Sequence, residues 1–494
     1  MDDPARFRFG PLERRGILIG LRAPQLIVLA GTAVACVALL STASSTISVL
    51  GIAALVAAGV VIAFVPIKGR SIDEQTPLLV HWVIGRITGR NRFAASLGQI
   101  PGEKELFELR LPGIGDELSI LTHHVPDTEH VMGVIRDRRA GTYTGVLAAR
   151  GRAFALLDEA DKSRRLTSWA AVLTGFARQG SPVSRVQWVE RTMADPGDAA
   201  ASYLKDNIAV PLDSPIARSY LEVVDAAGPV SQDHEVFVAL QIDARSARRV
   251  VKSFGGGDVG SCEVLRRELT ALSLSLANAD VVVDGALTPR LLAASVRNAF
   301  DPGSRASLAK IATRDGDRRG ASVHTAGPMT ANTSWTHFQT EAAFHATYWI
   351  AEWPRVDVDA DFLAPLLLRT EAIRTVSVTM EPVNALKAVR SMESARTSAA
   401  ADEELRARAG FLTTSRRHRE HESLADHERD LSDGHSLYRF AGFITVSAAT
   451  PEQLDSACAD VEEAAARSLL DVRRLDGQQD VAFTYTLPLC RGLR

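Results

Sequence analysis

The chain has 494 residues, of which 46% are hydrophobic and 23% charged, and a formal net charge of -3. That length sets a prior of about three domains, and the near-neutral balance gives no reason to expect direct nucleic-acid binding. Cys36, Cys262, Cys458 and Cys490 lie far apart with no CxxC spacing, which supports neither a zinc site nor a disulfide framework and suits a reducing compartment.

In chain order, Phe7–Gly10 and Gly16–Ile19 read as a short hairpin. The run from Ala23 to Ile67 follows, 45 residues without Asp, Glu, Lys, Arg or His. One straight helix of that length would measure about 67 Å, against a hydrocarbon core of about 30 Å. The expectation is therefore two membrane passes, Pro24 to about Ala43 and about Ile47 to Ile67, turning at Ser44-Ser45-Thr46. Arg6, Arg8, Arg14, Arg15 and Arg22 precede the run, and Lys68, Arg70, Arg86, Arg90 and Arg92 follow it. Positive flanks stay inside, so both termini are expected in the cytoplasm of a two-pass inner-membrane protein in contact with membrane lipid. Thr76 and Pro77 open a helix over Leu78, Leu79, Trp82, Val83 and Ile87, lying either along the inner leaflet or on the rest of the protein.

Glu13-Arg-Arg-Gly-Ile-Leu-Ile-Gly-Leu-Arg-Ala-Pro-Gln25, two apolar passes and Pro77-Leu-Leu-Val-His-Trp82 together resemble the PrgI-type small membrane subunits of conjugative type IV secretion systems. Gly20, Leu21 and Gln25 carry the specific part of that likeness, which covers residues 1–95.

Beyond residue 95, Glu105–Leu109, Leu118–His123, Val131–Arg136 and Tyr143–Ala149 alternate as strands, the last two joined by a turn at Arg138–Gly141. Asp158–Arg178 is helical, and Val183–Glu190 is a strand. Two helices follow within 199–227, separated near Pro211. His234–Ile242 is a strand, Ser261–Asn278 a helix, Val281–Asp284 a strand and Thr288–Ala299 a helix. Asp301–Thr330, rich in Gly, Ser, Asp and Arg, reads as a loop or linker. Then come a strand at Ala346–Trp353, a helix at Asp359–Leu368 and a strand at Arg374–Glu381. A charged helical pair is expected over about 384–431. Leu437–Ser447 is a strand, Pro451–Leu470 a helix capped by Thr450, and Val472–Leu475 a strand. The expected fold class is α+β: an N-terminal transmembrane helical hairpin followed by cytoplasmic α/β sandwich domains at 96–300 and 331–494, linked through 301–330. Two β-α-β-rich modules suggest duplicated ferredoxin-like units, without a clean internal sequence repeat.

A second resemblance rests on Val134–Tyr143, Gly180–Trp188, Ala400–Asp402, Arg408–Gly410, Gly434-His435, Leu475–Gln479, Ala482-Phe483 and Leu487–Leu489. These pieces look like the domain that precedes the motor in the large ATPases of conjugative type IV secretion. The phosphate-loop motor that follows in that family is not in this sequence. A PrgI-like hairpin joined to such a domain resembles a family of membrane proteins from actinobacterial conjugation-like loci. The resemblance implies a non-catalytic, multi-pass scaffold that docks a separate conjugative-type ATPase and other apparatus subunits, as an oligomer. A membrane component of a type VII (ESX-like) system is the alternative, and an enzyme with an unrecognised site the third reading.

No catalytic, cofactor or metal residue is assigned. Gly255-Gly-Gly-Asp-Val-Gly260 precedes a helix, as an anion-binding loop would. It lacks the Lys of GxxxxGK[ST] and carries Asp258, so a plain turn is expected. His418, His421 and His427 miss the HExxH spacing and read as part of a solvated charged helix. His123-His124 reads as a surface turn. Asp357, Asp359 and Asp361 lack the Gly and Glu of a calcium loop and read as strand-end and cap residues. There is no GxSxG elbow, and no Cys stands beside a plausible His partner. Trp335, Trp349 and Trp353 with Phe338, Phe344 and Tyr348 form an aromatic cluster, read first as core and second as a partner-facing patch.

Overall fold

The structure, a computed structural model, describes residues 23–42, 51–53, 55–57, 66–67, 70–95, 107–151, 157–194, 210–227, 232–305, 307–308, 320–383 and 436–493, apart from 127 and 212, and a few isolated positions. The chain divides into two units, residues 11–91 with 394–421, and 1–10, 92–393 and 422–494.

The described part of the first unit holds helix α1 (Ala23–Thr42), the two-residue strands β1 (Pro66–Ile67) and β2 (Arg70–Ser71), and helix α2 (Ile72–Ile87). The last of these starts five residues before the expected Pro77, which falls inside it. Among the described residues no helix is long and apolar enough to cross a membrane. This corrects the transmembrane hairpin, the multi-pass assignment and the inner-membrane localisation with cytoplasmic termini. The expectation rested on absence of charge, which is a weaker condition than sustained apolarity along one unbroken helix. Gln25, Gly31, Thr32, Ser41 and Thr42 interrupt the apolar residues of α1, and the Thr32 and Ser41 hydroxyls bond back to the carbonyls of Val28 and Ala38. Of the second pass, only short pieces such as 51–53 and 55–57 are described.

The second unit is organised by one 14-stranded antiparallel sheet. Its elements are β3 (Arg92–Ala94), β4 (Glu108–Leu111), β5 (Gly115–His124), β6 (Val131–Asp137), β7 (Thr142–Arg150), α3 (Glu159–Ala177), β8 (Val183–Ala194), α4 (Pro215–Ala227), β9 (Gln232–Asp243), α5 (Arg248–Ser253), α6 (Gly257–Asn278), β10 (Val282–Ala286) and α7 (Pro289–Phe300). They continue with β11 (Thr330–Thr333), β12 (Phe338–Thr340), β13 (Phe344–Glu352), α8 (Ala364–Leu368), β14 (Ile373–Pro382), β15 (Tyr438–Ala448), α9 (Pro451–Arg467), β16 (Asp471–Arg474) and α10 (Gln479–Phe483).

Two stretches of this chain have the same plan. In β7-α3-β8-β9-α6-β10 the spatial order is β10-β7-β9-β8; in β13-α8-β14-β15-α9-β16 it is β16-β13-β15-β14. Each is a split βαβ, with order 4-1-3-2. Each first strand also forms a hairpin with the strand before it, β6 or β12. Both have their longest insertion between second and third strands, at 195–231 and 383–437. The halves meet where β8 pairs β14, with Val186 opposite Met380, Trp188 opposite Val378 and Glu190 opposite Val376. The expected separate sandwich domains are thereby corrected: ladder hydrogen bonds run unbroken from one half to the other, so both share a single sheet. Alternation predicts strands, but it does not say which edge closes on which.

The helices α3 and α6 pack on one sheet face with Val186, Val238 and Leu240. On that same face α9 covers Tyr348, Ile444 and Val446. The starts of α3, α7 and α9 follow from local chemistry: the Asp158 carboxylate and the Thr288 and Thr450 hydroxyls accept from the third residue on, and Pro289 and Pro451 occupy first-turn positions. The opposite face buries Val146, Val189, Phe237 and Ala239 beneath α7, α10 and residues 484–490. The stretch expected as a linker contributes to this second core, with Ala321, Val323 and Ala326 buried. The strands β11 and β12, four and three residues long and not foreseen, begin at its end. Two arginines within strands are buried. Arg374 is wholly buried and donates to the carbonyls of Thr370 and Ala372 at 2.9 and 3.0 Å. Arg191, also buried, donates to the carbonyl of Ser295 at 2.8 Å.

Candidate functional site

Two places in the second unit gather chemistry from distant parts of the chain. The first is the sheet junction. Gln187 on β8 is completely buried; its amide nitrogen donates to Ser377 Oγ on β14 at 2.7 Å and to the carbonyls of Tyr485 and Leu487 at 3.0 Å each. Its Oε1 accepts from the backbone N–H of Cys490 at 2.7 Å. Arg185 donates to the carbonyls of Cys490 and Leu493, and Thr379 to that of Arg491. Residues 484–493 thus form a strap across the line where the halves join, and side chains of the sheet satisfy its carbonyls.

The second is a cleft of about 590 Å³ at one end of the first half. The β6–β7 turn brings Gly141 to it at positive φ, and β7 brings Tyr143. The chain leaving β9 supplies Arg245, and one face of α5 supplies Arg248 and Lys252, spaced i,i+4. Gly255, Gly256 and Gly257 all have positive φ, a conformation glycine adopts without steric cost. Helix α6 then seats against α5 at Gly260, where a Cβ would stand 2.3 Å from the Val251 carbonyl oxygen. Among the described residues no carboxylate pairs with Arg245, Arg248 or Lys252. Asp258 beside them is occupied: it accepts from the Tyr143 hydroxyl at 2.6 Å and from Arg136. Burial, and then the hydrogen bond to Asp258, push the Tyr143 phenol up to about 12. Ser261 turns inward, its hydroxyl donating to the Gly257 carbonyl at 2.7 Å.

The structure separates the other candidates. His418, His421 and His427 lie outside the described residues, as do Ala400–Asp402, Arg408–Gly410 and Gly434-His435. His123 and His124 belong to strand β5 rather than a turn, and His123 Nε2 stands 3.4 Å from the Glu263 carboxylate on α6. Asp357, Asp359 and Asp361 precede α8 without a side-chain cap; Asp361 lies 3.4 Å from Lys162 on α3. Among the described residues no group of three or more His, Cys, Asp or Glu could hold a metal ion. The aromatic cluster divides among separate packing sites. Phe338 packs with Phe300 and Phe483, Trp353 meets Phe440 edge-on at 5.4 Å, and the Tyr348 hydroxyl donates to Glu462 at 2.7 Å. Cys262, Cys458 and Cys490 are buried free thiols, raised by that burial.

Sequence reasoning missed Arg245, Arg248, Lys252 and Tyr143. The signal was present: basic residues at helical spacing stand immediately before a glycine-rich turn. A phosphate loop places its lysine after the glycines; here the basic residues of the cleft stand before them. Compared with known proteins, the chain matches no family model and no curated protein.

Proposed function

We propose that the chain is a non-catalytic docking component of a conjugative type IV-like secretion apparatus, which engages a separate ATPase alongside other subunits and in more than one copy. One observation supports this reading above the rest. The described pieces that carry the likeness to the ATPase-preceding domain are spread over some 350 positions; two of them, Val134–Tyr143 and Gly180–Trp188, reach the strap, which holds a third, Leu487–Leu489, and the others pack on the sheet just before it. Val134–Tyr143 contains Asp137, whose carboxylate lies 3.6 Å from Arg491. Gly180–Trp188 contains Arg185 and Gln187, which hold the strap. In Leu475–Gln479, Gln479 exchanges two hydrogen bonds with the backbone of Thr347, at 2.8 and 3.3 Å. Phe483 stacks on Phe300 with centroids 4.7 Å apart. Leu487 supplies one of the carbonyls that Gln187 binds.

These residues build the junction between the two halves of the sheet. A likeness carried by junction-forming residues fits a protein that shares a framework with a motor-linked domain and offers it as a binding surface. The energy would come from the partner.

The test is assembly with a defined partner. The full chain and a conjugative-type ATPase from the same genome are purified separately, mixed, and followed by size-exclusion chromatography with light scattering. A co-eluting complex whose cross-links fall on 107–493 supports the reading. Independent elution of both at ~10 μM, a concentration at which even micromolar complexes form, overturns it.

A further inference from the structure

We propose that the cleft between the β6–β7 turn, α5 and the Gly255–Gly257 turn binds a small phosphate-bearing molecule, through Arg245, Arg248 and Lys252. The inference is independent of the secretion reading, since it rests on a different part of the molecule.

The end of a helix would not carry this by itself. Three cations from two elements, a loop and α5, line one cavity without a carboxylate ion-pair partner among the described residues. Surface arginines with an acidic residue in reach normally pair with it, and this protein does so widely: Arg136 with Asp258, Arg165 with Asp280, and Arg266 and Arg267 with Glu263. Of the two acids beside the cleft, Asp258 is already engaged by Arg136 and Tyr143, and Asp243 accepts from the backbone N–H of Arg245 at 2.9 Å. The repulsion of an anion by Asp258, the objection that the sequence raises, is therefore offset. What remains, with Asp243 set against the three cations, is a net positive charge of about two, in a concavity whose volume lies within the usual range for small-molecule sites of roughly 300–1,000 Å³.

The chemistry of the lining selects the ligand class. Two guanidinium forks match the paired oxygens of a phosphate, and a lysine supplies a point charge beside them. The backbone between Gly255 and Gly257 has no side chain to keep a bulky anion away. A single inorganic phosphate would fill little of the space, so a diphosphate, alone or on a nucleoside, suits it better.

The test uses the full chain and calorimetric titration with inorganic pyrophosphate and with ADP. Binding is expected for at least one, weakening as salt is added. Arg248→Gln and Lys252→Gln should each lower affinity about tenfold, the loss of one charge-assisted contact. Both side chains are exposed, so circular dichroism should be unchanged. Arg164→Gln on α3, which pairs with Asp161, should bind as the parent does. Binding of pyrophosphate assigns recognition to the diphosphate alone; binding of ADP only assigns a nucleotide; both support the site. No binding of either at ~1 mM, where even a weak site registers, overturns it. So does binding unchanged in both glutamine variants, or binding of a single-stranded oligonucleotide with neither small ligand.

Discussion

The amide of Gln187 and the hydroxyl of Ser377, 2.7 Å apart, join the two halves of the sheet through side chains where β8 and β14 already join them through backbone. The Gln187 nitrogen has two protons for three acceptors, so one is shared. Gln187→Leu would fill the volume but leave the Cys490 N–H and the strap carbonyls unpaired in a dry interface. We expect a loss of roughly 3 kcal/mol, since each buried polar group left without a partner costs about 1–3 kcal/mol. Ser377→Ala removes one acceptor and should cost about 1 kcal/mol. Denaturant midpoints of the two variants test this; equal effects would place the strap's stability elsewhere.

His345 makes stability depend on pH. Its ring is completely buried, with Nδ1 2.8 Å from Ser447 Oγ, and burial lowers its pKa to about 3. An unfolded histidine takes up its proton near 6.5. Below that pH the unfolded chain binds a proton that the folded one refuses, so stability falls with pH from about 6.5 towards 3. The slope from this one group is at most about 1.4 kcal/mol per pH unit. His345→Gln removes the contribution, and its stability should vary less across that window than the parent's. Parallel pH profiles would refute the assignment.

Glu263 acts at lower pH. Its carboxylate accepts from Arg266 at 2.7 and 2.9 Å and from Arg267 at 3.1 Å. The Arg266 hydrogen bond is the main cause that holds its pKa down to about 2, against opposition from burial. A depressed carboxylate stabilises the fold above its unfolded pKa, and that stability is lost as pH falls from about 4.5 towards 2. Glu263→Gln should be less stable at neutral pH and should lose less on acidification. Thermal melts at stepped pH read both, and a variant as stable as the parent at pH 7 would contradict the geometry.

Gly260 fixes α6 against α5. An alanine there would place its methyl 2.3 Å from the Val251 carbonyl oxygen and 3.2 Å from that of Phe254, both backbone atoms that cannot rotate away. Gly260→Ala should cost about 2 kcal/mol or more by overpacking. The forced separation of the helices should also move Lys252 away from the Gly256–Gly257 side of the cleft, so pyrophosphate affinity should fall with stability. A variant that melts with the parent would show that α5 yields freely.

Much of the second unit could be read from pattern. The alternation in Val131–Ala149 and the caps at Asp158, Thr288 and Thr450 are local signals, and the structure places strands and helices at those positions. The junction could not be read in this way. Gln187 lies between Val186 and Trp188, where alternation shows only that it faces away from them; that it meets residues some 300 positions later depends on closure of the sheet. Arg191 and Arg374 are likewise invisible, because a charged residue in a strand reads as solvent-facing until its carbonyl partners are known. Charge-free length misled at Ala23–Ile67 because it counts what is missing. The cleft was half visible: the glycines drew attention, but Arg245, Arg248 and Lys252 became a cluster only when α5 turned them to one side.

The strap imposes an order on synthesis. A ribosome completes β8 and β14 more than a hundred codons before it reaches Tyr485. Throughout that interval Gln187, Ser377 and Thr379 face water, or whatever chaperone attends the nascent chain. The two halves can pair as soon as β14 emerges, but the groove along their seam closes only once residues 484–493 have left the ribosome, so a product stalled before them would carry an open polar seam as its mark.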